Sequence, residues 1–481
     1  MNRLPHHSLL VLISATVTLV GCQEAPPYDP AEALPGGDAS VNFSPFPSSE
    51  LPVANLPASA KPEFYAGKAL AHQPWIKAPT ITDARDGLGP LYNARTCLAC
   101  HTKGGRGHVP DSGDTPLLSA FLRLSIPGNH PHHGALPEPT YGEQLQSQSV
   151  ALAHQLRHSG AELPMSVAPE GYVHVHWQND IFTYPDGQQR QLRRPRIEIR
   201  NLGYGPLHPD TLMSLRIAPS IHGAGLIELI DQADIDALAD PEDLDGDGIS
   251  GRVNQVWDYR RQAVAPGRFG LKANRASLEI TVAGAFAGDV GITNPLFPQQ
   301  PCSPAQPSCQ EQPDGNDANG VELSEELLQM VVDFNRNLGV PKRRSPENTQ
   351  VMAGRELFYQ TGCQRCHQPD FTTLASEQQP HLGGQRIWPY SDFLLHDMGP
   401  ELADGRPDYQ ASGREWRTAP LWGIGLSKHI SGSQNFLHDG RARSVEEAIL
   451  WHGGEAAASR QAFTELSTPQ RQQLLMFVNS L

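Results

Sequence analysis

The sequence predicts a mainly α-helical protein with long loops, two helical domains and a β-rich insertion in its N-terminal half. Glycine (44) and proline (43) are both frequent among the 481 residues, which favours long ordered loops between helices of modest length. Apolar residues recur at helical spacing over Ser324–Leu338 and again after Thr468-Pro469. By contrast, Tyr172–Trp177 and Pro195–Arg200 alternate in polarity on either side of a Pro-Asp-Gly turn, which predicts a β-hairpin.

The pentapeptide Cys-X-X-Cys-His occurs twice, as Cys97-Leu98-Ala99-Cys100-His101 and as Cys363-Gln364-Arg365-Cys366-His367. Two thiols at this spacing can add to the vinyl groups of a haem, and the adjacent histidine then ligates the iron. A zinc site would need four clustered thiolate or imidazole ligands, and a redox dithiol has no need of the histidine. We therefore expect two covalently bound haem c groups. Because a similar short helix precedes each motif, at Ala66–Leu70 and at Ala353–Phe358, we expect two cytochrome-c-like haem domains.

The N-terminus has the features of an export signal. Leu9–Val20 is an apolar run too short to span a bilayer comfortably. It ends at Leu19-Val20-Gly21-Cys22, which resembles a bacterial lipoprotein signal and implies cleavage before Cys22 and lipid on its sulfur. An ordinary signal peptide is the alternative. Either reading places the mature chain in an oxidising compartment, and we expect a periplasmic protein anchored to a membrane by lipid.

These features divide the chain into four segments. They are a lipoprotein signal peptide (1–21), a flexible tether rich in proline, alanine, serine and glycine (22–60), an N-terminal haem domain (61–340) and a C-terminal cytochrome-c-like haem domain (341–481). The β-rich insertion is expected at about 165–205. In the second half of the N-terminal domain, Cys302 and Cys309 are close enough in sequence to predict a short loop disulfide.

The formal net charge of −15 argues against a nucleic acid as partner, because a phosphate backbone requires a basic surface. It fits a basic electron donor. One acidic segment, Asp243-Leu244-Asp245-Gly246-Asp247-Gly248, has the first half of a calcium loop, with Asp243, Asp245 and Asp247 at positions one, three and five. Asn254 replaces the usual glutamate at the last position, so calcium binding and an acidic glycine-rich turn both remain open.

Each haem iron has a second axial position. A filled position favours electron transfer, whereas an open one allows peroxide or oxygen to bind. Pattern alone does not choose among the candidate ligands, which are His108, His222, Met398, His438 and His452.

Several segments resemble a known family in order and spacing, from about residue 63 to the C-terminus. The resemblance is to the bacterial dihaem cytochrome c peroxidase superfamily, and more closely to its dihaem oxidoreductase family, sometimes labelled thiol oxidoreductase. The matching segments are Asp86–Asn93, Tyr141–Gln146, Asp245–Arg252, Arg268–Ala273, Ala283–Thr293, Arg414–Trp422, Phe436–Arg441 and Val445–Glu455.

The resemblance implies different roles for the two haems. In the peroxidases a methionine ligates the C-terminal haem; the matching position here is His452, which implies a bis-histidine haem, with Met398 as the rival ligand. The N-terminal haem of those enzymes reacts with peroxide, helped by an acid in the segment that matches 279–292. Asp289 is the first candidate for this catalytic acid and Glu279 the second.

We therefore expect a periplasmic dihaem c-type oxidoreductase of the peroxidase kind, in which the C-terminal haem relays electrons and the N-terminal haem reacts. The expected partners are a small redox donor protein or a quinol-linked electron source, and hydrogen peroxide or another small oxidant. The alternative is a non-enzymatic electron-transfer cytochrome linked to periplasmic iron handling.

Overall fold

The computed structural model describes residues 24–43, 49–78, 85–150 and 167–481. The prediction of a mainly α-helical fold is wrong, because helices account for only 29% of the chain and strands for 19%. The strands of the described residues form six small antiparallel sheets. Two of the seven described strand pairings join distant segments, Leu91–Tyr92 with Gln148–Ser149 and Ala120–Ser125 with Leu212–Ile217, and such pairing leaves no local periodicity to detect.

The helices lie mainly around the two Cys-X-X-Cys-His motifs. The α-helices are α1 (Lys61–His72), α2 (Cys97–Cys100), α3 (Ala224–Glu228), α4 (Gln232–Asp236), α5 (Leu278–Ala285), α6 (Pro307–Gln310), α7 (Glu325–Arg336), α8 (Thr349–Gln360), α9 (Ser427–Ser431), α10 (Val445–Trp451), α11 (Ala457–Glu465) and α12 (Thr468–Ser480). A π-helical turn, Phe286–Val290, continues α5. Short 3₁₀ turns include Pro30–Ala33 and Cys363–Arg365.

The strands are mostly short. They are β1 (Leu91–Tyr92), β2 (Ala120–His130), β3 (Gly134–Leu136), β4 (Gln148–Ser149), β5 (Tyr172–Thr183), β6 (Gln189–Arg200), β7 (Leu212–Ile217), β8 (Gln255–Asp258), β9 (Ala263–Pro266), β10 (Phe371–Thr372), β11 (Arg386–Ile387), β12 (Leu395–Asp397) and β13 (Glu415–Arg417). The long hairpin β5–β6 pairs Tyr172 with Arg200 and Thr183 with Gln189, which confirms the predicted hairpin.

Each haem motif follows a helix that crosses a second helix very closely. A Cβ atom added at Gly67 of α1 would lie 2.0 Å from the carbonyl oxygen of Met330 in α7, and one added at Gly354 of α8 would lie 1.9 Å from that of Gln473 in α12. Only glycine permits backbones to approach this closely. The two halves of the protein therefore repeat one arrangement: a pair of helices that cross closely at a glycine, with one helix of the pair preceding a Cys-X-X-Cys-His motif in the sequence.

Three main cores support this arrangement. The largest surrounds α1, α5 and α7, the second surrounds α8, α10 and α12, and the third lies between β2, β5 and β7. The β5–β6 hairpin joins two of them, because Val173 and Val175 pack in the third core while Tyr184 and Leu192 are buried in the second.

The N-terminal segment is packed wherever the structure describes it. Ala39, Val53 and Leu56 are buried in the largest core, and Glu32 is buried between Arg343 and Arg355. Residues 24–43 and 49–60, which fall within the predicted flexible tether (22–60), are therefore packed against the rest of the protein. Their packing depends on partners about three hundred residues away, which composition could not reveal. The predicted signal peptide and Cys22 lie outside the described residues, and none of the helices described is long and apolar enough to cross a membrane.

Candidate functional site

Both Cys-X-X-Cys-His motifs line one continuous cavity of about 460 Å³. The first motif enters it from α2, whose N-cap Thr96 accepts a hydrogen bond from the amide of Ala99 at 3.1 Å. The second enters from the 3₁₀ turn Cys363–Arg365, which begins after Gly362 in the left-handed conformation. The fold thus brings together two motifs that are far apart in the sequence.

The two motif histidines are held in the same way. Nδ1 of His101 donates a hydrogen bond to the carbonyl oxygen of Pro219 at 2.7 Å, and Nδ1 of His367 donates to that of Tyr390 at 2.8 Å. Because a carbonyl can only accept, each Nε2 keeps its lone pair. Burial lowers the pKa of His101, and it lowers the pKa of His367 to about 4. Both imidazoles are therefore neutral, which is the form that ligates iron.

The four motif cysteines are free thiols. Burial raises the pKa of Cys97 and of Cys100 to about 12, and that of Cys363 to about 11. Burial thus keeps these thiols protonated, and none of the four forms a disulfide.

Asp289 lies at the first motif, as predicted. It lines the cavity, and its charge is the second cause of the raised pKa values of Cys97 and Cys100. Its carboxylate accepts a hydrogen bond from the side chain of Gln144 at 2.7 Å. Its backbone carbonyl accepts from the amides of Asn93 and Ala94 at 2.8 and 3.0 Å. The acid is therefore held firmly, on the π-helical turn that follows α5.

Glu279, the second candidate acid, is not among the residues that line the cavity. It lies near the start of α5, where it forms an ion pair with Arg260 and accepts a hydrogen bond from Gln329 at 2.6 Å. Helical periodicity explains the difference, since residues 279 and 289 are nearly three turns apart but fall on different faces.

His452 lines the cavity together with the second motif. Its Nδ1 donates to the carbonyl oxygen of Ala448 at 2.7 Å, and burial lowers its pKa. It also contributes to the lowered pKa of His367, and both rings line the same cavity. His452 thus has the same free Nε2 as the two motif histidines. Met398 lines the same cavity and packs against the second core.

Two of the remaining histidine candidates, His222 and His108, are hydrogen-bonded through their rings. His222 lines the cavity, but its Nε2 donates to the carbonyl oxygen of Ser49 at 3.3 Å and its Nδ1 accepts from Ser220 at 3.0 Å. His108 bonds Ser119 at 2.8 Å and is not part of the lining. His438 lines the cavity and stacks on Trp416, with ring centroids 3.7 Å apart.

Sequence reasoning missed several arginines of the cavity wall. Nη1 of Arg417 is buried and has no hydrogen-bond partner among the described residues, whereas Arg216 forms ion pairs with Asp404 and Asp408 at 3.6 and 2.8 Å. An unsatisfied buried donor costs about 1–3 kcal/mol, so the Arg417 guanidinium fits an anionic ligand in the cavity. Haem carries two propionates and meets this requirement. Arg417 belongs to the family-like segment Arg414–Trp422, but nothing in that pattern showed that its side chain faces the cavity.

A buried charge cluster beside the second motif was also missed. His396 donates to Asp392 at 2.8 Å and to Glu455 at 2.6 Å, and its Nδ1 lies 3.8 Å from the sulfur of Cys366. Burial lowers the pKa of His396, but the two carboxylates outweigh this and raise it well above its ordinary value. Glu455 in turn accepts from the amide and hydroxyl of Ser250.

Two further predictions concern the loops. The acidic loop places Asp240, Asp243 and Asp245 with carboxylate oxygens within 4.8 Å of one another, whereas Asp247 pairs with Arg365 at 3.5 Å. Calcium binding stays a prediction, with Asp240 in place of Asp247. Cys302 and Cys309 form a disulfide, as predicted.

Two Cys-X-X-Cys-His motifs with buried neutral imidazoles, lining one cavity with His452 and Arg417, fit a redox protein with two haem sites. The chain belongs to the di-haem oxidoreductase family: the model of that family, described as "Di-haem oxidoreductase, putative peroxidase", matches residues 35–481. This confirms the resemblance found in the sequence, and membership implies two haem groups and a redox function. A search of curated proteins and a search of solved structures each gave no match.

Proposed function

We propose that this protein is a periplasmic dihaem c-type oxidoreductase of the peroxidase kind, with electron relay at the C-terminal site and reaction at the N-terminal site. The observation that carries the proposal is the asymmetry between the two sites. At the second motif, His452 offers a free Nε2 in the cavity that His367 also lines. At the first motif, His222 has both ring nitrogens engaged, and a carboxylate, Asp289, lies in the cavity instead.

The residues of this chain fit two covalently attached haems. Cys97 and Cys100 would hold one and Cys363 and Cys366 the other, with His101 and His367 as axial ligands. Arg417 would pair with a propionate. When bound, the haems supply the electron storage and the iron site that peroxide reduction requires.

Asp289 would act on protons at the first site. Reduction of hydrogen peroxide to water consumes protons and requires cleavage of the bond between its oxygens. A carboxylate beside the cavity can take a proton from one oxygen and return it to the other as general acid and base. Gln144 holds the carboxylate through a hydrogen bond at 2.7 Å, which keeps one oxygen oriented while the other stays available.

His452 would act at the second site as a fixed axial ligand. Its Nδ1–H bond to Ala448 orients the ring and raises the basicity of Nε2. Histidine ligation on both faces lowers the potential relative to histidine–methionine ligation. A haem iron ligated by both histidines would transfer electrons without binding the oxidant.

A lipid on Cys22 would place the C-terminal half near the membrane. One residue, Gln23, separates Cys22 from Glu24, where the described chain begins, and two residues span about 7 Å at most. Ala25 already packs against the core around α8 and α12. This short connection favours a membrane-associated, quinol-linked electron source or a small donor protein that meets the C-terminal site.

Rapid mixing of half-reduced protein with hydrogen peroxide tests the proposal. We expect stoichiometric consumption of peroxide, together with reoxidation of the C-terminal haem. Two haems that are both low-spin and do not respond to peroxide would contradict the proposal and favour the non-enzymatic electron carrier.

A further inference from the structure

Tyr390 connects the N-terminal segment to the axial histidine of the second motif. Its carbonyl oxygen accepts the Nδ1–H of His367 at 2.8 Å, and its hydroxyl donates to the carboxylate of Glu32. The side chain is fully buried. Tyr390 is therefore hydrogen-bonded both to His367, the expected haem ligand, and to Glu32 in the N-terminal segment.

The backbone of Tyr390 needs external support. Its φ is 54°, in the left-handed region that costs a bulky residue about 1–3 kcal/mol unless its surroundings hold it. The ring packs between Phe358 and Phe477, with centroids 5.7 and 5.8 Å away. These contacts fix the plane of the ring, and the bond to Glu32 fixes its far end.

Glu32 is itself held by two arginines from different elements. Nη1 of Arg343, after α7, donates to it at 2.5 Å, and Nε of Arg355, on α8, donates at 3.1 Å. Nη2 of Arg343 also donates a hydrogen bond to the hydroxyl of Ser480 on α12 at 3.1 Å. With 2% of its surface exposed, this carboxylate is the common acceptor for donors from three parts of the C-terminal half.

The N-terminal segment also follows the chain that leads to Tyr390. The amide of Trp388 donates to the carbonyl oxygen of Pro35 at 2.7 Å, and Arg386 pairs with Asp29 at 2.6 Å. The segment therefore runs along residues 386–390 and places Glu32 at the end of that run.

We infer that Glu32 is a positioning residue for His367, acting through the hydroxyl and the left-handed backbone of Tyr390. The inference rests on the proposed function only in requiring a haem at the second motif. A firm bond from Nδ1–H to a carbonyl raises the basicity of the ligating nitrogen, which favours the oxidised iron. Loss of the Glu32 contact should let the carbonyl turn, weaken that bond and raise the potential of the C-terminal haem.

Potentiometric titration of the full-length dihaem protein tests the inference. Tyr390→Phe removes only the hydroxyl and keeps the ring contacts, and Glu32→Gln keeps the shape but not the charge. In both variants we expect an upward shift in the midpoint potential of the C-terminal haem, with the potential of the N-terminal haem unchanged. Tyr390→Phe leaves the Glu32–arginine pairs intact, so it provides the test where Glu32→Gln does not fold.

Tyr359→Phe is the matched control. Tyr359 is a buried phenol on α8, 5% exposed against 0% for Tyr390, and its ring lies 5.0 Å from Arg355, but its hydroxyl is not one of the described donors to Glu32. An unchanged C-terminal potential in Tyr390→Phe at full haem content would overturn the inference, as would an equal shift in Tyr359→Phe. Absence of haem from the second motif of the unmodified protein would contradict the proposed function instead.

Discussion

At the residue scale, the site depends on which side chains face the cavity. Asp289 and His452 both line the cavity, while their roles as catalytic acid and iron ligand stay predictions. Of the two acids that the family resemblance ranked, Asp289 first and Glu279 second, Asp289 lines the cavity and Glu279 does not. No local sequence pattern marks Glu32 or Tyr390, because the two residues that make this contact are 358 positions apart.

Asp289→Asn tests the catalytic acid. We expect peroxide turnover to fall about 10²-fold or more, the usual contribution of a general acid–base group, with haem content and both potentials retained. Steady-state turnover with a chemical electron donor measures it. Glu279→Gln is the control, since Glu279 pairs with Arg260 away from the cavity. Equal turnover in Asp289→Asn and in the unmodified protein would exclude the acid–base role.

At the element scale, the two halves share one construction, and the sequence indicated it through the lead-in helices. The starts of two helices have caps formed by local serines: Ser324 caps α7, and Ser467 caps α12 and forms a capping box with Gln470. The small sheets could not be predicted, because strands such as β2 and β7 acquire their pairing only from the completed fold.

The glycine crossings give a prediction at this scale. Gly67→Ala and Gly354→Ala should each lower the free energy of unfolding by about 1–3 kcal/mol, because the added methyl group meets a backbone carbonyl that cannot move aside. Thermal melts of the haem-loaded protein measure this. At Gly288 an added Cβ meets nothing within 4 Å, so Gly288→Ala should melt like the unmodified protein. Equal melting of all three variants would show that the close crossings are not required.

At the scale of the whole molecule, net charge should govern the encounter with electron donors. At low salt, a net charge of −15 attracts cationic partners from a distance, and added salt screens this attraction. We expect the second-order rate of reduction by a basic donor protein to fall about tenfold or more between low and high salt. Stopped-flow measurements at several ionic strengths check this, with a neutral quinol as the control. A salt-independent rate with the basic donor would argue against electrostatic steering.

We propose that the two haem sites are unequal, because His452 has a free Nε2 in the cavity at the second motif, whereas His222 at the first has both ring nitrogens hydrogen-bonded. Electron paramagnetic resonance of the oxidised protein is the decisive measurement. We expect one low-spin and one high-spin haem, a loss of the low-spin signal in His452→Ala, and its retention in Met398→Leu. Two low-spin haems that both persist in His452→Ala would contradict it.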